Sequence, residues 1–105
     1  MGEKYKLKPE AKKDLVQAVE WYEKNQEGVG LRLYEEVYDK IEALSKKPNS
    51  HSTFYREFRK ASLKVFPFLI IYIIKEPIIL IFAIWHKSRD SKKLLERVDR
   101  TEKDK

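Results

Sequence analysis

Polar and apolar positions alternate at the start of the chain, where Lys4-Tyr5-Lys6-Leu7-Lys8 has the period of two that marks a strand with Tyr5 and Leu7 facing inward. The period then lengthens. Pro9 suits the first turn of a helix, where its missing N–H costs nothing, and Ala11, Leu15, Ala18, Val19 and Tyr22 follow at helical spacing. This pattern predicts an amphipathic helix of about four turns. Asn25-Gln26-Glu27-Gly28-Val29-Gly30 holds two of the three glycines and reverses the chain. A second helical stripe carries Leu31, Tyr34, Val37, Tyr38, Ile41 and Leu44, with Arg32, Glu35, Glu36, Asp39, Lys40 and Glu42 facing away. So short a connection between two such helices implies an antiparallel hairpin, which Lys46-Lys47-Pro48 brings to an end.

The second half reads as strands. Phe54 to Ala61 is aromatic and basic without Gly or Pro and is expected to be one strand. Phe68–Ile74 and Ile78–Trp85 are runs of β-branched and aromatic residues joined by Lys75-Glu76-Pro77, which predicts an antiparallel hairpin with a three-residue connection. Pro67 cannot donate to a ladder and should stand at the entrance, edge or a bulge of the first run. Asp90 or Ser91 is placed to cap a short helix carrying Leu94, Leu95 and Val98. The expected fold is α+β, in the order β-α-α-β-β-β: a strand, a helical hairpin covering an antiparallel sheet, a three-stranded meander and a short C-terminal helix. A chain of 105 residues suits one hydrophobic core, so residues 1–98 are read as a single domain and 99–105 as a charged, disordered tail.

The hairpin does not alternate apolar with polar. Phe68, Ile70, Tyr72 and Ile74 fall on one face and Leu69, Ile71 and Ile73 on the other, so both faces are greasy. At about 25 cal/mol per Å² of apolar surface, leaving the second face bare would forfeit several kcal/mol. Its expected cover is the C-terminal helix, a second copy of the chain, or a partner segment.

Charge and composition narrow the function. The net charge of +6 lies wholly beyond residue 50, and residues 51–89 carry 7 basic against 2 acidic groups. Such a surface attracts an acidic protein segment or a nucleic acid. The absence of cysteine excludes disulfides and thiolate metal sites, and two distant histidines offer no metal-ligand spacing, so neither metal nor cofactor is expected. The N-terminus shows no signal or lipidation pattern, and Lys75-Glu76-Pro77 cuts the apolar stretch Val65–Trp85 far short of the roughly 20 residues a spanning helix needs. A cytoplasmic protein with no membrane partner is the expectation. No Gly-rich phosphate loop, Ser/His/Asp arrangement or paired-carboxylate motif is present. Trp21, Tyr22, Tyr34 and Tyr38, at helical spacing, are expected to be core or core-edge packing, and Trp85 likewise.

Several short segments resemble one family. These are Ala18-Val19-Glu20-Trp21-Tyr22-Glu23, Gly28-Val29-Gly30-Leu31-Arg32-Leu33, Lys47-Pro48, Arg59, Phe66-Pro67-Phe68-Leu69-Ile70-Ile71-Tyr72 and Ala83-Ile84-Trp85-His86-Lys87-Ser88-Arg89-Asp90, in order over residues 4–98. Together they are similar to the RelE/ParE superfamily of toxins, often labelled plasmid stabilisation proteins. The resemblance implies a RelE-like fold and a cognate antitoxin that wraps the toxin. It also implies one of two activities: ribosome-dependent cleavage of messenger RNA, or, in the ParE-like branch, binding to DNA gyrase.

Metal-free RNA cleavage needs a base for the 2′-hydroxyl, an acid for the leaving oxygen and cations for the developing charge. The candidates here are Arg59, Lys64, His86 and Arg89, of which only His86 ordinarily titrates near neutrality. Two departures weaken this reading. Leu69 stands where the cleaving branch tends to carry an arginine three residues before the strand tyrosine, here Tyr72, and no tyrosine follows Tyr72. His86 and Arg89 instead match the His-x-x-Arg ending frequent in the ParE-like branch. A toxin that acts by binding is therefore the first reading, with Arg56, Arg59, Lys60, Lys64, Leu69, Ile71, Ile73, His86 and Arg89 as partner-binding residues. The endoribonuclease and an orphan interaction domain of the same fold are the alternatives. For the cations, a solvated basic rim that guards an edge strand is the plain alternative.

Overall fold

The computed structural model describes residues 4–103. Strand β1 (Tyr5–Leu7) leads into α1 (Pro9–Asn25) and α2 (Val29–Lys46), followed by a 3₁₀ turn at Pro48–Ser50. Four strands follow, β2 (Thr53–Tyr55), β3 (Phe58–Ser62), β4 (Phe68–Lys75) and β5 (Ile78–His86), and then helix α3 (Ser91–Lys103). The sheet order is β1-β5-β4-β3-β2. β1 runs parallel to β5, with Tyr5 opposite Ile79 and Leu7 opposite Ile81, so the sheet is mixed where a wholly antiparallel one was expected. The helical hairpin supplies the crossover that a parallel neighbour requires.

The expected strand over Phe54–Ala61 is two. Arg56 takes a left-handed conformation at φ 52°, and the chain reverses there, pairing Tyr55 with Phe58. Alternation within 54–61 is imperfect because a turn lies inside it. The connection between β4 and β5 is likewise shorter than expected, Glu76-Pro77, since Lys75 still pairs with Ile78. The Lys87 N–H donates to the Pro67 carbonyl immediately before β4, so this proline stands at the strand's entrance.

Helices α1 and α2 pack on the sheet face that presents Phe68, Ile70, Tyr72, Ile79 and Ile81. Along α2 the buried line is Gly30, Leu33, Val37, Ile41 and Leu44, whereas Leu31, Tyr34 and Trp21 of α1 are exposed, which corrects their assignment to the core. The two helices approach so closely at Gly30 that a Cβ there would lie 2.6 Å from the Val19 carbonyl oxygen. The Glu23 carboxylate crosses the gap and accepts the Gly28 and Gly30 N–H groups at 2.8 and 3.0 Å, meeting donors that the start of α2 leaves unpaired. Gly30→Ala should therefore force the helices apart and cost about 1–3 kcal/mol, despite alanine's better helix propensity. A lowered urea midpoint with an unchanged slope is the expected measurement.

The second sheet face is closed within the monomer. A bulge at Phe82 skips one residue of β5, so that Ile71 pairs with Ala83 while Tyr72 pairs with Ile81. Phe82 and Ala83 consequently share a face, and with Phe58, Ile71, Ile73 and Trp85 they form a second core beneath Leu94 and Val98 of α3. Ile71 and Ile73 are fully buried there, which removes them from the partner-binding set, and Leu69 is half-buried at its margin. Asp90 caps α3 through its side chain, which accepts the Lys92 N–H at 2.9 Å. The helix continues to Lys103, so the backbone from 99 is helical as far as it is described, where a disordered tail was expected; residues 104 and 105 lie outside the described residues.

Candidate functional site

The predicted cations separate into groups once the strands are placed. Arg59 lies on the helical-hairpin side of β3 and donates to the His51 carbonyl at 2.6 Å, beside the Tyr72 hydroxyl, which donates to the Pro48 carbonyl at 2.9 Å. Both side chains pin the loop after α2. Burial raises the Tyr72 pKa, with the Arg59 charge opposing, and burial followed by the Lys40 charge lowers that of His51. Lys64 stands in the β3–β4 loop, where the Glu36 carboxylate accepts the N–H groups of Lys64, Val65 and Phe66. Arg56 sits in its own turn, 3.4 Å from Asp99 of α3 and stacked near Tyr55, whose hydroxyl also donates to Asp99. The side chains of Arg59 and Arg56 thus serve the fold, whereas Lys64 is held through its backbone N–H.

His86 and Arg89 converge. β5 ends at His86 opposite Phe68, whose ring meets the imidazole edge-on at 5.0 Å. The His86 Nδ1 accepts the Ser88 N–H at 3.0 Å, which leaves Nε2 as the donor of the ring. The Arg89 N–H donates to the His86 carbonyl, and this turn lays the guanidinium over the Trp85 ring at 3.7 Å from its centroid. Arg89 is exposed and makes no ion pair among the described residues. A guanidinium held over an indole gives up rotamer freedom in advance while keeping N–H groups for a carboxylate or phosphate.

Two grooves meet at Arg89. The first, about 280 Å³, runs between α1 and the end of β5 and is lined by Gln17, Trp21, Tyr22, Phe68, His86 and Arg89. The second, about 230 Å³, lies on the α3 side, with Phe54, Leu69, Trp85 and Leu95 flanked by Lys60, Lys87 and Arg89. Lys60 is stacked on Phe54 at 5.3 Å. Arg59, Lys64 and Arg56 line neither groove, so the four nuclease candidates do not gather around one cavity. Trp21, Phe68 and Lys87 are site residues that sequence reasoning missed. Helical spacing placed Trp21 with the core packing, where the structure leaves it 60% exposed, and Lys87 stood beside the His-x-x-Arg ending unremarked.

The site is held from behind by Asp14. Its buried carboxylate accepts the Ile84 N–H at 3.0 Å, on the part of β5 that the short β1 does not reach, and both terminal nitrogens of Arg97 at 2.6 and 3.0 Å. Arg97 in turn lies 5.1 Å from the Trp85 ring centroid and 3.2 Å from Glu10. One carboxylate thus ties α1, β5 and α3 together directly behind the Trp85–Arg89 stack. Nothing in the pattern of α1 singled it out, since an aspartate at a helical position ordinarily faces water.

Among the described residues no cluster of His, Cys, Asp or Glu could hold a metal ion, and no helix is long and apolar enough to cross a membrane. Comparison with known proteins gives two findings. The model of a family described as the ParE toxin of the type II toxin–antitoxin system, parDE, matches residues 5–91. A solved chain described as the chromosomal ParDE TA system from P. aeruginosa is similar in fold, with a TM-score of 0.69 at 19% identity over 78% of this chain and 92% of that one. No curated protein sequence matches.

Proposed function

The chain belongs to the ParE toxin family of type II toxin–antitoxin systems, and we propose that it acts by binding, engaging a cellular target through the surface around Arg89 and being neutralised when a cognate antitoxin covers that surface. DNA gyrase is the target that membership of this family suggests. The carrying observation is the exposed Arg89 guanidinium, with no ion pair among the described residues, held over the Trp85 ring where two grooves meet. Arginine and tryptophan are the residues that most often dominate binding interfaces, because a pre-ordered side chain loses little entropy on docking. The dispersal of Arg59 and Lys64 away from His86 supports binding over cleavage of RNA.

Expression of the chain without a partner should arrest growth, and Arg89→Glu should relieve the arrest while leaving the circular dichroism spectrum unchanged. Reversing an exposed hot-spot charge should weaken partner binding by about tenfold or more. Purified chain should inhibit DNA supercoiling by gyrase, and the variant should not. Growth unaffected by the wild-type chain would overturn the toxin reading. Arrest with supercoiling intact would exclude gyrase, and messenger RNA cut on induction would replace binding by cleavage.

A further inference from the structure

We propose that the groove between α1 and the end of β5 is the seat of one large apolar side chain from an acidic peptide segment, with a carboxylate next to that side chain pairing with Arg89. The inference rests on the reading that an antitoxin segment neutralises this chain, and it names where and by what chemistry that segment is anchored. Trp21 is 60% exposed, an unusual state for the side chain with most to gain from burial. Its ring is nonetheless held in place. Trp21 meets Tyr22 at 5.0 Å, Tyr22 meets Phe68 at 6.2 Å and Phe68 meets His86 at 5.0 Å, each near edge-to-face, so one aromatic wall runs from α1 to the tip of β5. Such a wall is already ordered before anything docks, and covering it returns the exposed indole to an apolar environment.

Size and charge choose the occupant. At about 280 Å³ the groove falls just below the roughly 300–1,000 Å³ of small-molecule sites, which suits one or two side chains. The Asp14 carboxylate at its edge is already engaged by Arg97 and the Ile84 N–H, so it does not repel an incoming acid. Among the described residues the groove offers an incoming acid the Arg89 guanidinium, the Gln17 amide and the His86 Nε2–H as donors, which favour a carboxylate. A nucleic acid strand is less suited. Its binding sites use a track of cations along successive phosphates and flat faces for stacked bases, whereas these rings meet edge to face and one guanidinium borders them.

The test uses the full chain, isotopically labelled, and blocked peptides as probes: Ac-Glu-Asp-Phe-Asp-Glu-NH2, the same peptide with alanine at its centre, and one with lysines in place of its acids. The first should shift the Trp21 indole N–H and the His86 and Arg89 amides saturably in heteronuclear NMR spectra. The other two should bind about tenfold more weakly or worse, and Trp21→Ala should weaken the first by a similar factor. Val16→Ala, also exposed but on another face of α1, should change nothing. Equal binding of the three peptides, shifts confined to Lys60 and Leu95, or binding indifferent to Trp21→Ala would overturn the proposal. So would the same shifts caused by oligothymidylate, or a dimer that Trp21→Ala dissociates, since the occupant would then be a nucleic acid or a second copy. Growth arrest is scored separately: arrest without peptide binding removes the anchor and keeps the toxin, and peptide binding without arrest does the reverse.

Discussion

Asp14→Ala destabilises the fold by about 3 kcal/mol, because breaking a buried ion pair from one side strands the other charge. The removed carboxylate holds both terminal nitrogens of Arg97 and the Ile84 N–H, so its loss leaves one cation and one strand-edge donor unsatisfied. Glu10, 3.2 Å from the Arg97 Nε, retains part of the compensation, which places the cost at the lower end of the roughly 3–5 kcal/mol that such breakage brings. Small domains hold only about 5–15 kcal/mol in all, so the shift in urea midpoint will be large. Asp14→Ala with Arg97→Leu should recover part of the loss, since no unpaired charge then remains inside. Costs below 1 kcal/mol that simply add in the double variant would show that the pair is not coupled as its geometry requires. Added salt should not mimic the effect, because a pair this buried is poorly screened.

Val98→Asp uncovers the second sheet face. Val98, on the inner side of α3, is fully buried in the core that also holds Phe58, Ile71, Ile73, Phe82 and Trp85. An ionised carboxylate at that position would cost several kcal/mol to keep dry, so the helix lifts away instead. The chain then loses the burial of Val98 and Leu94 and exposes Ile71 and Ile73, at least about 6 kcal/mol at roughly 1.5–3 kcal/mol for each large aliphatic side chain. Strong binding of an apolar dye and concentration-dependent association are the expected readouts. A variant with an unchanged midpoint and no dye binding would show that α3 is not what keeps this face dry. Lifting α3 also withdraws Arg97 from Asp14, so the two variants act on one unit and their effects will not add.

This second case bears on what covers the hairpin. Two greasy faces were visible in Phe68–Ile74, and a partner was one of three candidates to cover the far one. The protein's own C-terminal helix does so, and what remains for a partner is the rim of that face, where Leu69, Lys60 and Arg89 border a groove. The His-x-x-Arg ending singled out two residues that stand together at the end of β5, His86 and Arg89, beside one groove. Arg59 and Lys64 have the same charge as Arg89 and a different place, because the His51 carbonyl claims the Arg59 side chain and the Glu36 carboxylate of α2 holds the Lys64 N–H in the β3–β4 loop.

Read alone, the chain determined its helical hairpin and its central β-hairpin. Each follows from interactions within a few residues: helical spacing over 9–46, glycine at the reversal, and β-branched runs broken by Glu76-Pro77. Only the tertiary structure decided the bulge at Phe82, the closure of the second face by α3, the turn at Arg56, and the meeting of Asp14 with Arg97 across 83 positions of sequence. Those features depend on which distant surfaces arrive at the same place, and the cost of leaving a buried donor, charge or apolar face unmatched is settled there, with no periodicity along the chain to announce it.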